Sequence, residues 1–254
     1  MSKFDVEQQG AQTEFGYQTT SWKRYTVKDV AADGSATLEL KIDRVIMSAK
    51  GESGDFEFDS AKPGTAPAEF THIRDTVGPP IAEIIVSAVG EVTAVQHLLK
   101  NQQNVKDADD RNVDVLSLLP NEPVKVGAQW KEKYEEQISV PPALKKTIKM
   151  QKVYTLKEVK DGLATIEMVT MVLTPLQDSK EESQLIQRTP SSIIQFHLED
   201  GRIMSRSSSL HNTVVGFAGE SSRIKVDRTC DERTLKEGDD GIVEVAVEPQ
   251  SVPR

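Results

Sequence analysis

Short runs in which apolar and polar residues alternate recur along most of the chain, and turn-forming residues separate them. Tyr25-Thr26-Val27-Lys28-Asp29-Val30 alternates, Ala31-Ala32-Asp33-Gly34 turns, and Ala36, Leu38, Leu40 and Ile42 then share one parity. A period of two predicts strands. Asp-Gly suits the turn between them, because Gly takes positive φ freely and Asp tolerates it. Val45 and Met47 fall on the other parity, which marks either a bulge or a change of buried face. Ser48 to Phe70 reads as loop, with Asp55-Phe56-Glu57-Phe58-Asp59 as a short edge strand inside it. A second hairpin is predicted from Ile84-Ile85-Val86, a turn at Val89-Gly90, and Val92 to Val95.

The pattern changes between Val95 and Leu119. Val113, Leu116 and Leu119 recur at helical spacing before Pro120 and Pro123, which predicts one or two short helices over residues 96–119. Alternation then resumes. Val124 to Trp130 opens a second half, a strand runs from about Lys131 to Val140, and Pro141-Pro142 breaks it. Tyr154-Thr155-Leu156-Lys157-Glu158-Val159, a turn at Asp161-Gly162 and Ala164 to Met168 make another hairpin. Ile193 to Leu198 turns at Asp200-Gly201 into Arg202 to Ser209, and Ser222 to Thr229 is a further strand. Ser205 to Ser209 is polar at both parities, as in an edge strand or one lining a wet cavity. After Glu237, Val243, Val245 and Val247 alternate before Pro249, which fits a last strand or a frayed end.

The two Tyr-Thr hairpins are alike. With one gap, Tyr25–Glu39 and Tyr154–Glu167 agree at nine of fourteen aligned positions. The polar loop and second hairpin that follow each copy also correspond. This order points to an internal duplication, too short to form a solenoid. The expected organisation is a first β-rich half at 1–97, a helical linker at 98–122, a second β-rich half at 123–236, and a tail or final strand at 237–254. The expected fold is mainly β: two similar antiparallel sheets, packed together or curled into an open half-barrel covered by the linking helices.

Tyr25 to Val30, Asp33-Gly34-Ser35-Ala36, Asp59-Ser60, Pro123 to Trp130 and Tyr154 to Val159 together resemble a family of uncharacterised extracytoplasmic bacterial proteins. That family is known as a domain of unknown function and is common in planctomycete-like bacteria. The likeness runs over nearly the whole chain, but it rests on turns, strand ends and a Trp. It implies a periplasmic or secreted protein exported through a cleaved signal, and it implies no catalytic residue.

Composition narrows the function. The net charge of −9 disfavours phosphate backbones, so nucleic acid is not an expected partner. No apolar run is long enough for a transmembrane helix. Lys3 and Asp5 interrupt any apolar stretch at Met1, so a cytoplasmic protein or a mature region is expected. The single cysteine, Cys230, cannot form an internal disulfide, and Asp231 and Glu232 beside it weaken it as a nucleophile. His72, His97, His197 and His211 have no metal-ligand spacing. Asp107 to Asn112 fails as a calcium loop: Arg111 takes the fifth ligand position, and Leu118 stands where the bidentate Glu belongs. Asp231, Glu232, Glu237, Asp239 and Asp240 form a weak cation site at best.

No nucleophile elbow, phosphate loop or dinucleotide fingerprint occurs. The expectation is therefore a non-enzymatic binding or assembly protein with no cofactor, no metal and no catalytic residue. The alternative is a carrier of an apolar small molecule or lipid, held in a cavity between sheet and helix. Trp22 and Trp130 plug the ends of cores or stack on a ligand.

Overall fold

In the computed structural model, residues 1–50, 54–62, 71–99, 118–140 and 144–236 are described. The first half holds β1 (Ser2–Gln8), β2 (Ala11–Val30), β3 (Ala36–Lys50), β4 (Phe56–Asp59), the single turn α1 (Thr71–Arg74), β5 (Pro80–Val86) and β6 (Val92–His97). The second holds β7 (Gln129–Val140), β8 (Leu144–Lys160), β9 (Leu163–Val172), α2 (Ser179–Leu185), β10 (Ser191–His197), β11 (Arg202–Val215) and β12 (Arg223–Arg233). The protein is mainly antiparallel β, as the alternation predicts.

The two sets of hairpins belong to one sheet, in the order β6-β5-β3-β2-β1-β12-β11-β10-β9-β8-β7, with β4 on β3. The join is β1, which pairs with β2 on one edge and with β12 on the other. Among the described residues the sheet does not close, and β6 and β7 stand at its two ends. The helices expected at 96–119 fall largely on 100–117, outside the described residues, as does the tail at 237–254.

One face of the sheet is mostly apolar, with Glu136 and Arg206 buried among its aliphatic residues. Leu38, Leu40 and Ile84 bury in the first half, and Ile148, Met150 and Ile194 in the second. The sheet curls around this face. Leu185 at the end of α2 packs with Ile138, Ile148 and Met150 of β7 and β8, while the next residue, Ile186, packs with Phe4, Leu210 and Val226 of β1, β11 and β12. Strands three to six places apart would lie roughly 15–30 Å from one another in a flat sheet. Two consecutive residues reach both groups only if the sheet bends over the helix.

Asp178 caps α2, accepting from the backbone N–H groups of Lys180 and Glu181. Lys146 of β8 grips the buried Glu181 carboxylate at 2.6 and 2.7 Å, and Arg188 donates to the buried Glu136 of β7. These contacts pin α2 and the turn after it to the sheet.

The two Tyr-Thr hairpins have the same register. Tyr25 opposes Leu40 and Val27 opposes Leu38; in the second copy Tyr154 opposes Met168 and Leu156 opposes Ile166. Each ladder then shifts at the same aligned residue, Lys28 in one and Lys157 in the other. Lys28 reaches Glu39 at 3.6 Å, and Lys157 reaches Glu167 at 3.3 Å. The alignment gap lies in the turn: Ala32-Asp33-Gly34 is a three-residue loop with Gly34 at φ +82°, whereas Asp161-Gly162 is a two-residue loop with both residues at positive φ. The following hairpins match as well. Ile84 sits on Leu38 and Ile194 on Ile166, and both second hairpins shift register one residue later, after Ile85 and after Gln195.

Two further expectations resolve here. The change of parity at Val45 is a bulge: the ladder shifts between Trp22 and Lys23, leaving Asp43 unpaired. The edge position expected for Ser205 to Ser209 is not found, because β11 is paired along both sides. Its polar side chains are satisfied across the ladders. Ser208 meets Ser192 at 2.8 Å, Ser207 donates to Asp231 at 2.7 Å, and the buried Arg206 reaches Glu232 at 3.3 Å.

Candidate binding surface

The two tryptophans expected to mark a ligand occupy different settings, seven strands apart in the sheet order. Trp130 lies on β7 directly opposite Tyr154, with the rings stacked at 5.6 Å and 9°. Its indole N–H donates to the Leu118 carbonyl at 2.6 Å, and the Tyr154 hydroxyl donates to Glu132 at 2.7 Å. Leu118 packs on the same cluster, and the next residue, Leu119, donates its N–H to the Val89 carbonyl in the β5–β6 turn at 2.8 Å. Trp130 thus sits where the chain ties the second half back to the first.

Trp22 lies midway along β2, opposite Arg44, whose guanidinium stands 5.1 Å from the ring centroid. Arg44 also grips Asp59 with two hydrogen bonds, at 3.0 and 2.8 Å. The Arg44 guanidinium, helped by the Ala61 N–H, holds the Asp59 carboxyl down at about 2. A carboxyl depressed on folding stabilises the fold above the usual carboxylate range, and this stability is lost as pH falls toward 2. Arg44→Met is therefore expected to melt lower than the parent at pH about 5, with a smaller further loss on going to pH about 2.5. Melting curves at the two pH values check this. Asp33, Glu181 and Asp227 are depressed too, but they titrate in both proteins and drop out of the difference.

The surface that sequence reading missed is an edge inside the sheet. β1 covers β2 only up to Tyr17, opposite Ser2. Among the described residues no strand follows β1 along the rest of that edge, from Gln18 to Val30. Its side chains are mostly exposed and polar or charged. On the far side, β12 continues past β1 in the same way: Met1 pairs with Thr229, and Cys230 to Arg233 extend beyond it along β11. Between β2 and β12 lies a slot one strand wide, with Met1 at its floor.

The hydrogen-bond directions in the slot follow from β1. Thr229 and Met1 exchange both backbone bonds, at 2.9 and 2.7 Å, so the odd residues of β1 bond to β12 and the even ones to β2. Continued along β2, this alternation aims the N–H and C=O groups of Thr19 and Ser21 into the slot. Cys230 lines the opposite wall. Burial and the Glu232 carboxylate push its thiol up, while Lys23 of β2 acts on it from across the slot. Asp231 and Glu232 of the acidic cluster turn to opposite faces, toward Ser207 and Arg206. Nothing in the local sequence announces this slot, because it depends on residues 228 positions apart.

Residues 81–194 match a family described as Family of unknown function (DUF6263). The matched stretch runs from β5 to β10 and so crosses from one half to the other. No curated protein and no solved structure matches the chain.

Proposed function

We propose that the chain is a non-enzymatic, extracytoplasmic binding and assembly protein that works by pairing an extended strand with the edge of β2. The observation that carries this reading is the edge from Gln18 to Val30, left uncovered by β1 at the centre of a large sheet. A row of backbone donors and acceptors in that position is a template for strand addition. The polar side chains along it suit a pairing surface that stays soluble until it is used. A carrier is the weaker reading, because the apolar face is closely packed: Ile84, Ile148 and Met150 are 0% exposed and Ile194 is 1% exposed. The extracytoplasmic setting rests on the family resemblance alone. The shared register and paired bulges of the two hairpin sets support an internal duplication as the origin of the sheet.

The test is amide hydrogen exchange with a synthetic ten-residue peptide of alternating Val and Thr as the probe. Slower exchange across Lys23–Val30 on adding the peptide is the expected result. If that stretch is unaffected while solvent extraction of the purified protein yields lipid at about one molecule per chain, the carrier reading takes its place.

A further inference from the structure

We infer that the outer edge of β7 is a self-pairing surface, on which a second copy of this chain docks its own β7 antiparallel, centred on Tyr134. This edge lies seven strands from β2 in the sheet order and is separate from the edge at Gln18–Val30.

β7 pairs with β8 from Gln129 to Val140 without a bulge, and among the described residues no strand pairs with its other side. Edges are commonly blunted by brevity, a bulge or a proline. The strand at the opposite end, β6, has six residues and a register shift against β5. β7 has 12 residues, no shift and no proline. Its backbone directions are fixed by its neighbour. Leu156 donates its N–H to the Ala128 carbonyl at 3.0 Å, and Gly127 donates to the Leu156 carbonyl at 2.7 Å, so the even residues of β7 bond to β8. Leu173 donates to the Lys149 carbonyl at 2.8 Å, which puts the odd residues of β8 on its other side, in agreement. The odd residues of β7 therefore aim their N–H and C=O groups outward. Lys131, Lys133, Glu135 and Gln137 are these residues, and all four are exposed.

A two-fold axis through an antiparallel pair sets one residue opposite itself and exchanges the positions on either side. Centring on Tyr134 puts Lys133 opposite Glu135 of the second copy, and Glu135 opposite its Lys133. Both are hydrogen-bonded pairs, as is Lys131 with Gln137 of the second copy. Neither Lys133 nor Glu135 has an ion pair of its own among the described residues, so self-pairing supplies the counter-charge that each lacks. On the other face Glu132 meets Glu136 of the second copy. Each of these acids is already held by a base of its own chain: Lys152 stands 3.7 Å from Glu132, and Arg188 donates to Glu136. Moving the centre by one residue sets Lys133 or Glu135 against its own copy, which like charges disfavour. The charges on this edge thus match a second copy in one register and give an unrelated strand no such match.

The ladder is small beside a standard interface, so sedimentation velocity at about 100 μM protein is the measurement. The parent is expected to be a dimer in reversible equilibrium with monomer. Lys133→Glu and Glu135→Lys are each expected to weaken the dimer about tenfold, because symmetry makes each substitution act at two pairs. They change the net charge in opposite directions, so a general charge effect cannot weaken both. Combining Lys133→Glu with Glu135→Lys restores the opposition with its sides exchanged. This double variant is expected to return to within about threefold of the parent, which also shows that neither substitution prevents folding. Three results overturn the inference: a parent that is monomeric at this concentration, a dimer that survives both single substitutions and so forms elsewhere (the β2 edge included), and a double variant no stronger than the single ones. All three are independent of peptide protection at Lys23–Val30.

Discussion

Ile194→Ala is expected to lower the unfolding free energy by about 3 kcal/mol, and Ile193→Ala by under about 0.5 kcal/mol. The two residues are neighbours on β10 with the same side chain, so hydrophobicity and strand propensity cancel in the comparison. What differs is the face. Ile194 is 1% exposed, with Ile166 and Arg206 as its ladder partners, whereas Ile193 is 43% exposed on the other side. Truncating Ile194 removes three buried carbons and leaves a hole lined by Leu156, Ile166 and their neighbours, which the rigid ladder cannot collapse to fill. Urea unfolding at constant m-value measures both. Equal losses at the two positions would mean that the apolar face has been assigned to the wrong side.

The second large effect is a difference between two glycines that match in sequence. Gly34 and Gly162 sit at φ +82° and +79°, so any side chain is strained at either by about 1–2 kcal/mol. Their surroundings differ. A Cβ on Gly34 would stand 3.0 Å from the Ala88 Cβ in the β5–β6 turn, while one on Gly162 would have its nearest neighbour, His197 Nε2, at 3.9 Å. Gly162→Val is expected to cost about 2 kcal/mol, and Gly34→Val at least about 1 kcal/mol more, because two turns must move apart. Adding Ala88→Gly to Gly34→Val should recover that excess and leave the φ strain in place. A double-mutant cycle isolates the coupling. A coupling near zero would show that the turns do not press on one another.

These residues also show what the sequence could and could not reveal. The Asp-Gly hairpins were legible because a local turn and a two-residue period act within twenty residues. The short strand Phe56–Asp59 was legible for the same reason. β1 and the first half of β2 were not. From Gln12 to Lys23 polar residues occupy both parities, so there is no apolar stripe to read. Ser205 to Ser209 misled in the opposite direction: a strand rich in serine reads as an edge, yet β11 is interior because its hydroxyls pair with Ser192 and Asp231. The two tryptophans were seen, but only the fold reveals that Arg44 covers one and Tyr154 the other. The slot was invisible in principle, since no local pattern reports which strand lies beside Met1.

The pairing of Met1 to Glu7 with Arg223 to Thr229 has a consequence for how the protein is made. Each half can zip up from hairpins whose partners are neighbours in the chain, so most of the sheet forms while the polypeptide is still being extended. The seam cannot. β1 must wait for β12, which follows it by more than two hundred residues, and its outer edge stays bare until then. During that interval β1 presents Lys3, Asp5 and Glu7 along one side, charges that discourage pairing with a neighbouring nascent chain. The ladder between β1 and β12 is therefore the last part of the sheet to close.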